Sequence, residues 1–305
     1  MRVLMDRGSI LIVGVGGIGC QWSGGAHDKC QQLADLLMVD ADESSFTPHH
    51  EAHCLHLDAS GSGRGAAALP NLAAHRLNEG ISNISELLEK SELVVLLTAL
   101  GGGTGSGATA EIAAKSRESG SLVISIVGIP FAEQPLRCAI AEKALPPIER
   151  NSDLCIRVSL ERLAWQARHR DSDWKLGSEW IGELIEGLVT TLARVGKINL
   201  DLMDLRTVVG RPGNATLIVG NGTTEDPDGV VRMARNSPLS EISIDGAKGC
   251  LIQVEGGPDM TLGHLNRVSE AFVSNLDNDC QVILGARASE DMAGRLRLVA
   301  VVSGL

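Results

Sequence analysis

The sequence predicts an α/β protein in which a doubly wound parallel sheet is followed by a long helix and a smaller α/β domain. Short apolar runs alternate with helical stretches over the first half of the chain, and two of those runs end in glycine-rich loops. A long amphipathic stretch then precedes a second group of short runs. Buried strands that alternate with helices are typical of a parallel sheet with helices on both faces. The 305 residues suffice for two domains.

The first apolar run, residues 9–15, is predicted to be a buried strand that closes in glycines. A helix is expected from residue 17 to about 33, and a second strand over 36–39 ends at Asp40. Strand, glycine turn, helix and strand in this order form a right-handed parallel unit. The N-terminal run lacks a cleavage pattern of small residues, so we predict a strand rather than a signal peptide and expect a cytoplasmic protein.

The same alternation continues along the first half of the chain. Residues 46–65 look irregular, apart from a short alternating piece at 53–58. The remaining elements predicted there are strands over 93–99 and 122–129, and helices over 69–89 and 108–119. In a parallel sheet the carboxyl ends of such strands meet at one edge, where ligands commonly bind.

Residues 173–195 are predicted to form one long helix, because apolar side chains recur there at steps of three and four. This pattern divides the chain into a first domain over 1–172, a linking helix over 173–196 and a second domain over 197–305. In the second domain we expect strands over 205–209, 215–219, 249–254, 281–286 and 297–302, and helices over 228–235 and 262–276.

The first glycine loop, residues 14–19, fits the pattern G-x-G-x-x-G between a strand and a helix. Asp40 closes the next strand about 20 residues later, which completes the dinucleotide-binding fingerprint. Taken alone, this loop favours NAD or FAD. Its physical basis is more general, because glycines let backbone N–H groups approach an anion at a helix N-terminus. A tight turn without a ligand is the structural alternative.

The second glycine loop, GGGTGSG at residues 101–107, also lies between a predicted strand and a helix. Five glycines in seven residues are costly inside a regular element, but they allow a backbone to wrap a bulky anion. Thr104 and Ser106 add hydroxyl donors. The loop lacks the Gly-Lys-Ser/Thr ending of a P-loop. Two such loops predict a cradle for a polyphosphate, which one NAD site would not need.

GGGTGSG resembles the signature of the tubulin/FtsZ GTPases, and the first loop is similar to that of FtsZ. The resemblance extends to Asn199, Asp201 and Asp204, which match an N-x-D-x-x-D loop, and to Pro130-Phe131 with Glu133 and Arg137. Residues 237–239, 244–247 and 301–304 match further landmarks. The resemblance covers nearly the whole chain and implies a Rossmann-type parallel-sheet GTPase domain, a long central helix and a smaller C-terminal activation domain.

The resemblance also implies a nucleotide site for GTP or GDP with Mg²⁺. Glu133 and Arg137 would reach the ribose, and Asp40 of the first fingerprint belongs to the same site. The α- and β-phosphates would lie on Gly16, Gly17, Ile18, Gly19, Cys20 and Gln21. The β- and γ-phosphates and the magnesium ion would lie among Gly63, Gly65, Ala66, Gly101, Gly102, Gly103, Thr104 and Gly105.

Hydrolysis is implied to depend on self-assembly. In the family, the loop that carries Asn199, Asp201 and Asp204 docks on the nucleotide of the next subunit, where its carboxylates orient water. The implied partner is therefore the protein itself, in head-to-tail filaments. The alternative for Asp201 and Asp204 is turn chemistry at a helix end with solvated carboxylates.

The base-recognition residues depart from the family pattern. Trp174 aligns with an aromatic residue that stacks on guanine, which suits any base. Ser178 stands where the family usually has Asn, and Glu179 where it has Asp. Residues 158–161, Val-Ser-Leu-Glu, replace a Pro-Asn-Asp segment. GTP is the expected nucleotide, with weaker discrimination against other bases because paired hydrogen bonds are lost.

The formal net charge of −11 argues against nucleic acid as a main partner, because phosphate binding on that scale needs a basic surface. No apolar run approaches the roughly 18 residues of a transmembrane helix, so direct membrane insertion is not expected. The sequence identifies no adaptor protein. Seven irregularly spaced cysteines predict free thiols. A cluster at His49, His50, Glu51, His53, Cys54 and His56 could bind a metal such as zinc, although a solvated loop fits its spacing better.

Two other functions remain open at this point. The chain could be an assembly scaffold of the same fold with weak or no GTPase activity, which the altered base-recognition residues favour and Asp201 and Asp204 oppose. It could also be an NAD-dependent oxidoreductase, which the first glycine loop and Asp40 favour. The oxidoreductase hypothesis gives residues 101–107 no role.

Overall fold

The computed structural model describes residues 5, 8–30, 32–46, 51–57, 68–169, 178–211, 213–236, 243–274 and 276–305. The chain divides into two compact units. The first is Asp6–Glu186, and the second is Gly187–Leu305 together with Met1–Met5, so the main division falls within one helix.

The first unit contains a six-stranded sheet in the order β3-β2-β1-β4-β5-β6, in which all paired strands are parallel. Successive residues of β1 point to opposite faces and all are buried, so both faces of the sheet are covered. This confirms the predicted α/β fold. The strands are β1 (Ile10–Val15), β2 (Asp35–Asp40), β3 (Ala52–His56), β4 (Leu93–Ala99), β5 (Leu122–Ile129) and β6 (Leu154–Ser159).

Helices follow the strands of the first unit as the alternation predicts. The sequence stretch predicted as one helix over 69–89 forms two, which a short 3-10 turn at Ile81–Asn83 separates. The helices are α1 (Gly16–Lys29), α2 (Pro70–Gly80), α3 (Ser85–Lys90), α4 (Gly103–Glu118), α5 (Pro135–Asn151) and α6 (Leu160–His169), and α7 (Ser178–Ala193) follows. Helix α5, strand β6 and helix α6 were not predicted. Of the long helix predicted over 173–195, residues 173–177 lie outside the described part.

Helix α4 begins earlier than predicted. Its first residue is Gly103, inside the glycine-rich loop, rather than residue 108. Gly103, Thr104 and Gly105 therefore form the first helical turn, and their backbone N–H groups have no intrahelical partner. Glycine is a poor helix former, so the sequence favoured a loop there, whereas the buried packing of this turn favours the helix.

The second unit contains a four-stranded sheet in the order β7-β10-β8-β9. Strand β10 is antiparallel to β7 and β8, while β8 and β9 are parallel. One buried cluster joins this sheet to α9 and α10, with Phe272 among its largest side chains. The elements are α8 (Leu202–Val209), β7 (Ala215–Thr223), α9 (Pro227–Arg235), β8 (Gly249–Gly256), α10 (Leu262–Val273), β9 (Gln281–Ala288) and β10 (Arg295–Ser303).

The strand predicted over 205–209 is wrong, because these residues form the end of helix α8. Leu205, Val208 and Val209 are buried at helical spacing, and Asp201 caps the N-terminus of the helix. A short apolar run of this kind does not distinguish a strand from a helix by periodicity alone. The cap and the burial determine the helix.

None of the helices in the described ranges is long and apolar enough to cross a membrane.

Candidate functional site

The carboxyl ends of β1 and β4 lie side by side, and each leads into the N-terminus of a helix. Val15 pairs with Thr98 in the parallel register. The Thr98 hydroxyl donates a hydrogen bond to the Val15 carbonyl oxygen at 3.1 Å. The two strand ends are therefore held together at the point where both glycine loops begin.

The two glycine loops approach each other closely. Gly16 has φ +77°, and a Cβ atom at this position would lie 3.2 Å from the amide nitrogen of Gly105. Gly101 has φ +93°, and a Cβ atom there would lie 2.7 Å from the Cβ of Arg137. Both positions combine a left-handed backbone with limited space, so glycine is required at each.

The N-termini of α1 and α4 meet at these loops. Neither helix has a capping side chain or an acidic residue in its first turn. The first backbone N–H groups of each helix are thus left for another acceptor, and the helix dipole favours negative charge there. Two converging helix N-termini can hold an anion such as a polyphosphate without basic side chains.

A cavity of about 450 Å³ lies at this junction, within the first unit. Nine of the predicted nucleotide-binding residues line it: Gly16, Gly17, Ile18, Asp40, Gly102, Gly103, Thr104, Gly105 and Arg137. The structure therefore brings together parts of both glycine loops, the end of β2 and the start of α5.

Six of the predicted nucleotide-binding residues are described but lie outside this lining, namely Gly19, Cys20, Gln21, Gly101, Glu133 and Glu179. The Cys20 thiol is buried and points toward the carbonyl oxygens of Gly14 and Val39, at 3.6 and 3.8 Å. Burial, followed by the neighbouring Asp40, raises the pKa of this thiol far above its usual range. The thiol is thus a protonated, interior group.

Other predicted residues fall outside the described part of the chain. These are Gly63, Gly65, Ala66 and Trp174, together with the Ser178 side chain. Residues 237–239, which carried part of the resemblance, also lie there. Glu179 is described and is exposed in the first turn of α7.

The cavity has one acidic and one basic side chain among its described lining residues, Asp40 and Arg137. Asp40 is buried, and its Oδ1 accepts the N–H of Ala41 at 2.7 Å. Its Oδ2 lies 3.9 Å from the position of a Cβ built on Gly17. The carboxylate therefore lies against the first glycine loop, while Arg137 lies against the second.

Pro130 and Phe131 also line the cavity and belong to a segment that the resemblance had indicated, whereas sequence reasoning missed four lining residues: Ala99, Leu100, Gln134 and Leu160. Most of them follow β4, β5 or β6, so their place at the carboxyl ends of parallel strands was the signal that could have identified them. Leu160 belongs to the segment that replaces Pro-Asn-Asp. The neighbouring Ser159 hydroxyl accepts the N–H of Arg162 at 3.2 Å, as a helix cap does.

The segment with Asn199, Asp201 and Asp204 lies in the second unit, directly before and at the start of α8. Asp201 Oδ1 accepts the N–H groups of Met203 and Asp204, at 2.8 and 3.0 Å. Asp204 Oδ2 accepts the N–H of Asp201 at 2.9 Å, which completes a capping box. Asn199 Oδ1 accepts the N–H of Gly196 at 2.7 Å. Among the described residues, nothing donates to the second oxygen of either carboxylate.

The proposed metal cluster is not supported by the residues that can be placed. Glu51, His53, Cys54 and His56 are described, and no group of three or more metal-ligating side chains occurs in the described ranges. His56 instead contacts the Ala41 carbonyl oxygen at 3.1 Å. His49 and His50 lie outside the described residues.

Two family models match the sequence. The GTPase domain of the tubulin/FtsZ family matches residues 9–166, and the C-terminal domain of the FtsZ family matches residues 213–305. Cell division protein FtsZ 1 of Archaeoglobus fulgidus is 31% identical over 100% of this chain and 84% of its own length. Cell division protein FtsZ of Haloferax mediterranei is also 31% identical, over 99% of this chain and 82% of its own.

Solved structures share the fold. An empty FtsZ dimer from M. jannaschii superposes with a TM-score of 0.84 and 27% identity, covering 97% of this chain and 88% of that one. CetZ2 from Haloferax volcanii, in a GTPγS-bound protofilament, superposes with a TM-score of 0.76 and 18% identity, covering 97% and 93%. These matches do not favour the oxidoreductase hypothesis. The chain belongs to the tubulin/FtsZ family.

Proposed function

We propose that this chain binds and hydrolyses GTP and assembles head to tail with copies of itself, each subunit completing the active site of the next. The observation that carries this proposal is the division of chemistry between the two units. Phosphate-binding features lie in the first unit, around residues 16–18 and 102–105. Carboxylates that cap a helix lie in the second, at the exposed Asp201 and the half-buried Asp204.

The nucleotide would bind with its phosphates on the two helix N-termini. The converging N–H groups of α1 and α4 supply the donors. Phe131 and Leu160 supply apolar surface in the same cavity. Guanine as the base rests on family membership, since Trp174 and the Ser178 side chain lie outside the described residues. Glu179 is the proposed acceptor for guanine N–H groups.

The residues present fit a magnesium ion. Mg²⁺ in nucleotide sites takes one or two protein oxygen ligands together with phosphate oxygens and water. Asp40 and Thr104 are the lining residues that would hold it, through a buried carboxylate and a hydroxyl. The bound ion would neutralise charge on the phosphates.

Hydrolysis is proposed to use the carboxylates of the neighbouring copy. The one described carboxylate of the cavity, Asp40, already accepts a backbone hydrogen bond at the first loop. Asp201 and Asp204 each have one oxygen without a donor among the described residues, so they can orient a water for in-line attack on the γ-phosphorus. The water oxygen forms the new P–O bond, the bond to the β-phosphate oxygen breaks, and a carboxylate takes the proton. Positioning supplies most of the catalysis in phosphoryl transfer.

The proposed organisation follows from this mechanism. Residues 1–172 would bind the nucleotide, 173–196 would link the domains, and 197–305 would carry the hydrolysis loop. The CetZ2 structure is of a protofilament bound to GTPγS, which supports self-association by this fold. The relatives are named cell division proteins, and we propose a cytoplasmic filament with that role.

The experiment measures phosphate release from GTP with Mg²⁺ over a range of protein concentrations. We expect the rate per subunit to rise steeply above a threshold concentration. A rate per subunit that does not change with concentration would contradict a shared site. Absence of phosphate release despite GTP binding would favour the scaffold alternative.

A mixing experiment tests the shared site directly. Asp201→Asn removes the loop charge, and Gly16→Val blocks the pocket by steric conflict with Gly105. Each variant alone should be inactive. An equal mixture should recover activity at about a quarter of its head-to-tail contacts, because only those pair an intact pocket with an intact loop. No recovery, with both variants still assembling together, would contradict catalysis between copies.

A further inference from the structure

A second cavity lies in the first unit, between α4 and α5, with the N-terminus of α2 at one end. Its volume is about 430 Å³, within the usual range of roughly 300–1,000 Å³ for small-molecule sites. Among the described residues, it shares no lining residue with the first cavity. The same turn of α4 separates the two: Thr104 and Gly105 line the first cavity, and Ser106 and Gly107 line the second.

Small residues keep this second cavity open. Gly107, Ala110 and Ala144 line it where two helices would otherwise interdigitate large side chains. Gly107 also permits the start of α2 to rest on α4, because a Cβ atom there would collide with the Pro70 carbonyl oxygen. The walls are mainly apolar, so an occupant would need an apolar body.

One backbone carbonyl of α5, at a residue that lines the cavity, lacks both of its usual N–H donors within the helix. Helix α5 contains Pro146 and Pro147 in its interior. A helical carbonyl accepts from the N–H three or four residues later, and for Lys143 both of those positions are proline. Lys143 and Pro147 both line the cavity. The Lys143 carbonyl is therefore an acceptor that an N–H group of a ligand could use.

Two charged side chains of opposite sign also line the cavity. Lys143 is exposed and Glu111 is half-buried. In the described part of the chain, neither takes part in an ion pair, whereas the nearby Lys115 pairs with Glu118. The ammonium group suits an acidic ligand group, and the carboxylate with the Lys143 carbonyl suits an N–H donor.

We propose that this cavity binds a small amphipathic organic acid, with an apolar body, an N–H donor and one acidic group. The proposal goes beyond the proposed GTPase function and does not depend on it. The site also has a physical link to the nucleotide loop. The Ser106 hydroxyl accepts the N–H of Gly101 at 2.9 Å, so an occupant would contact a residue that fixes the second glycine loop.

The probe is 8-anilinonaphthalene-1-sulfonate, which has a naphthyl and a phenyl ring, one N–H group and one sulfonate. Its fluorescence increases in an apolar site, and its affinity for the full chain is measured with GDP in excess to fill the first cavity. Ala110→Leu fills the second cavity from α4. Ala114→Leu is the matched control, because Ala114 is equally half-buried on the same helix but does not line the cavity.

We expect Ala110→Leu to weaken probe binding roughly ten-fold or more by occupying its space, with Ala114→Leu unchanged. Lys143→Ala should weaken it roughly two- to five-fold by removing an exposed charge partner. Thermal unfolding by circular dichroism verifies that each variant is folded. If Ala110→Leu does not fold, Lys143→Ala still tests the proposal, because the Lys143 side chain is exposed. Unchanged affinity in the folded cavity variants would overturn the proposal, and so would an equal loss in Ala114→Leu.

Discussion

Asp201 and Asp204 cap the same helix end reciprocally. The Asp201 carboxylate accepts the N–H of Asp204 at 3.0 Å, and the Asp204 carboxylate accepts the N–H of Asp201 at 2.9 Å. Each carboxylate therefore has a structural role in α8 in addition to its proposed catalytic role. An alanine substitution would remove both roles at once, whereas asparagine keeps a capping oxygen and removes the charge.

Asp201→Asn is expected to lower GTP hydrolysis roughly hundred-fold while leaving stability nearly unchanged, because the amide oxygen can still cap α8. Asp201→Ala should lose the same activity and also about 1 kcal/mol of stability. Phosphate release and urea unfolding measure the two effects.

Asp226→Asn is the matched control for this comparison. Asp226 caps α9 in the same unit by accepting the N–H of Gly229 at 2.9 Å, and it is not a proposed catalytic residue. Its variant should hydrolyse GTP like the wild type. If Asp201→Asn retains full activity, the carboxylate is a helix cap alone, and the proposed mechanism fails.

Gly101→Ala is expected to weaken nucleotide binding at least roughly ten-fold, because a Cβ atom would push Arg137 and displace the second glycine loop. Gly120→Ala separates this effect from backbone strain. Gly120 has φ +91°, almost the same as Gly101, but a Cβ atom there would meet no atom of the described residues within 4 Å. Both variants should lose about 1–2 kcal/mol of stability from the left-handed backbone.

Isothermal titration with GDP measures the two affinities. Gly120→Ala should bind GDP as tightly as the wild type. Equal affinities in the two glycine variants would mean that the approach of Gly101 to Arg137 does not shape the nucleotide site.

The bounds of the central strands could be predicted closely because strands that are buried on both faces appear in the sequence as continuous apolar runs. In β4 and β5 both faces are covered, so every residue is apolar or small, and the predicted bounds equal the observed ones. The glycine loops were found for a similar reason, since Gly16 and Gly101 occupy backbone conformations that other residues rarely adopt. Both the strand bounds and the glycine loops could therefore be predicted from the local sequence.

The missed elements depend on tertiary context. Helix α5 carries two interior prolines, which disfavour a helix locally, yet it packs through Ala141, Ala144 and Ile148. Helix α8 contains a β-branched run that is equally typical of a strand. Leu160 lines the first cavity only because β6 ends beside β5. The spacing of residues in the sequence therefore does not predict these three features.

Cys20 is expected to resist alkylation in the folded protein while Cys54 reacts. The thiolate is the reactive form, and burial with Asp40 nearby raises the pKa of Cys20, so its thiolate fraction is negligible at pH 8. Cys54 is exposed, although partial burial also raises its pKa. Its rate with iodoacetamide should therefore keep rising as the pH increases through 9.

Mass spectrometry of the alkylated peptides measures both rates, and Cys54→Ser verifies the assignment. In guanidinium chloride the two cysteines should react alike, because unfolding removes the burial. Labelling of Cys20 at the rate of Cys54 in the folded protein would contradict its interior position beside Gly14 and Val39.

Glu255→Gln is expected to destabilise the protein by about 3–5 kcal/mol, because it leaves the Arg287 guanidinium buried without its charge partner. The two side chains form an ion pair between β8 and β9, and each is 7% exposed. Arginine remains charged even though burial lowers the pKa of Arg287, so the cost cannot be relieved by deprotonation.

Asp228→Asn is the exposed counterpart, since Asp228 pairs with Arg267 on the surface of the same unit. This variant should change stability little, because water and salt screen the pair. The hydrogen bond from Arg267 holds the pKa of Asp228 below its usual range. The contribution of this pair to the free energy of unfolding is therefore present at neutral pH, and it is lost as the pH falls through the lowered pKa.

Urea unfolding measures the change in the free energy of unfolding for both single variants and for a Glu255→Leu/Arg287→Met double variant. The double variant should recover most of the stability lost by Glu255→Gln, since it buries neither charge. Recovery would mean that the attraction between Glu255 and Arg287 only offsets the cost of burying the two charges, so the native pair adds no net stability. A double variant as unstable as the single one would show instead that the pair orders β8 and β9 through contacts that apolar side chains cannot replace.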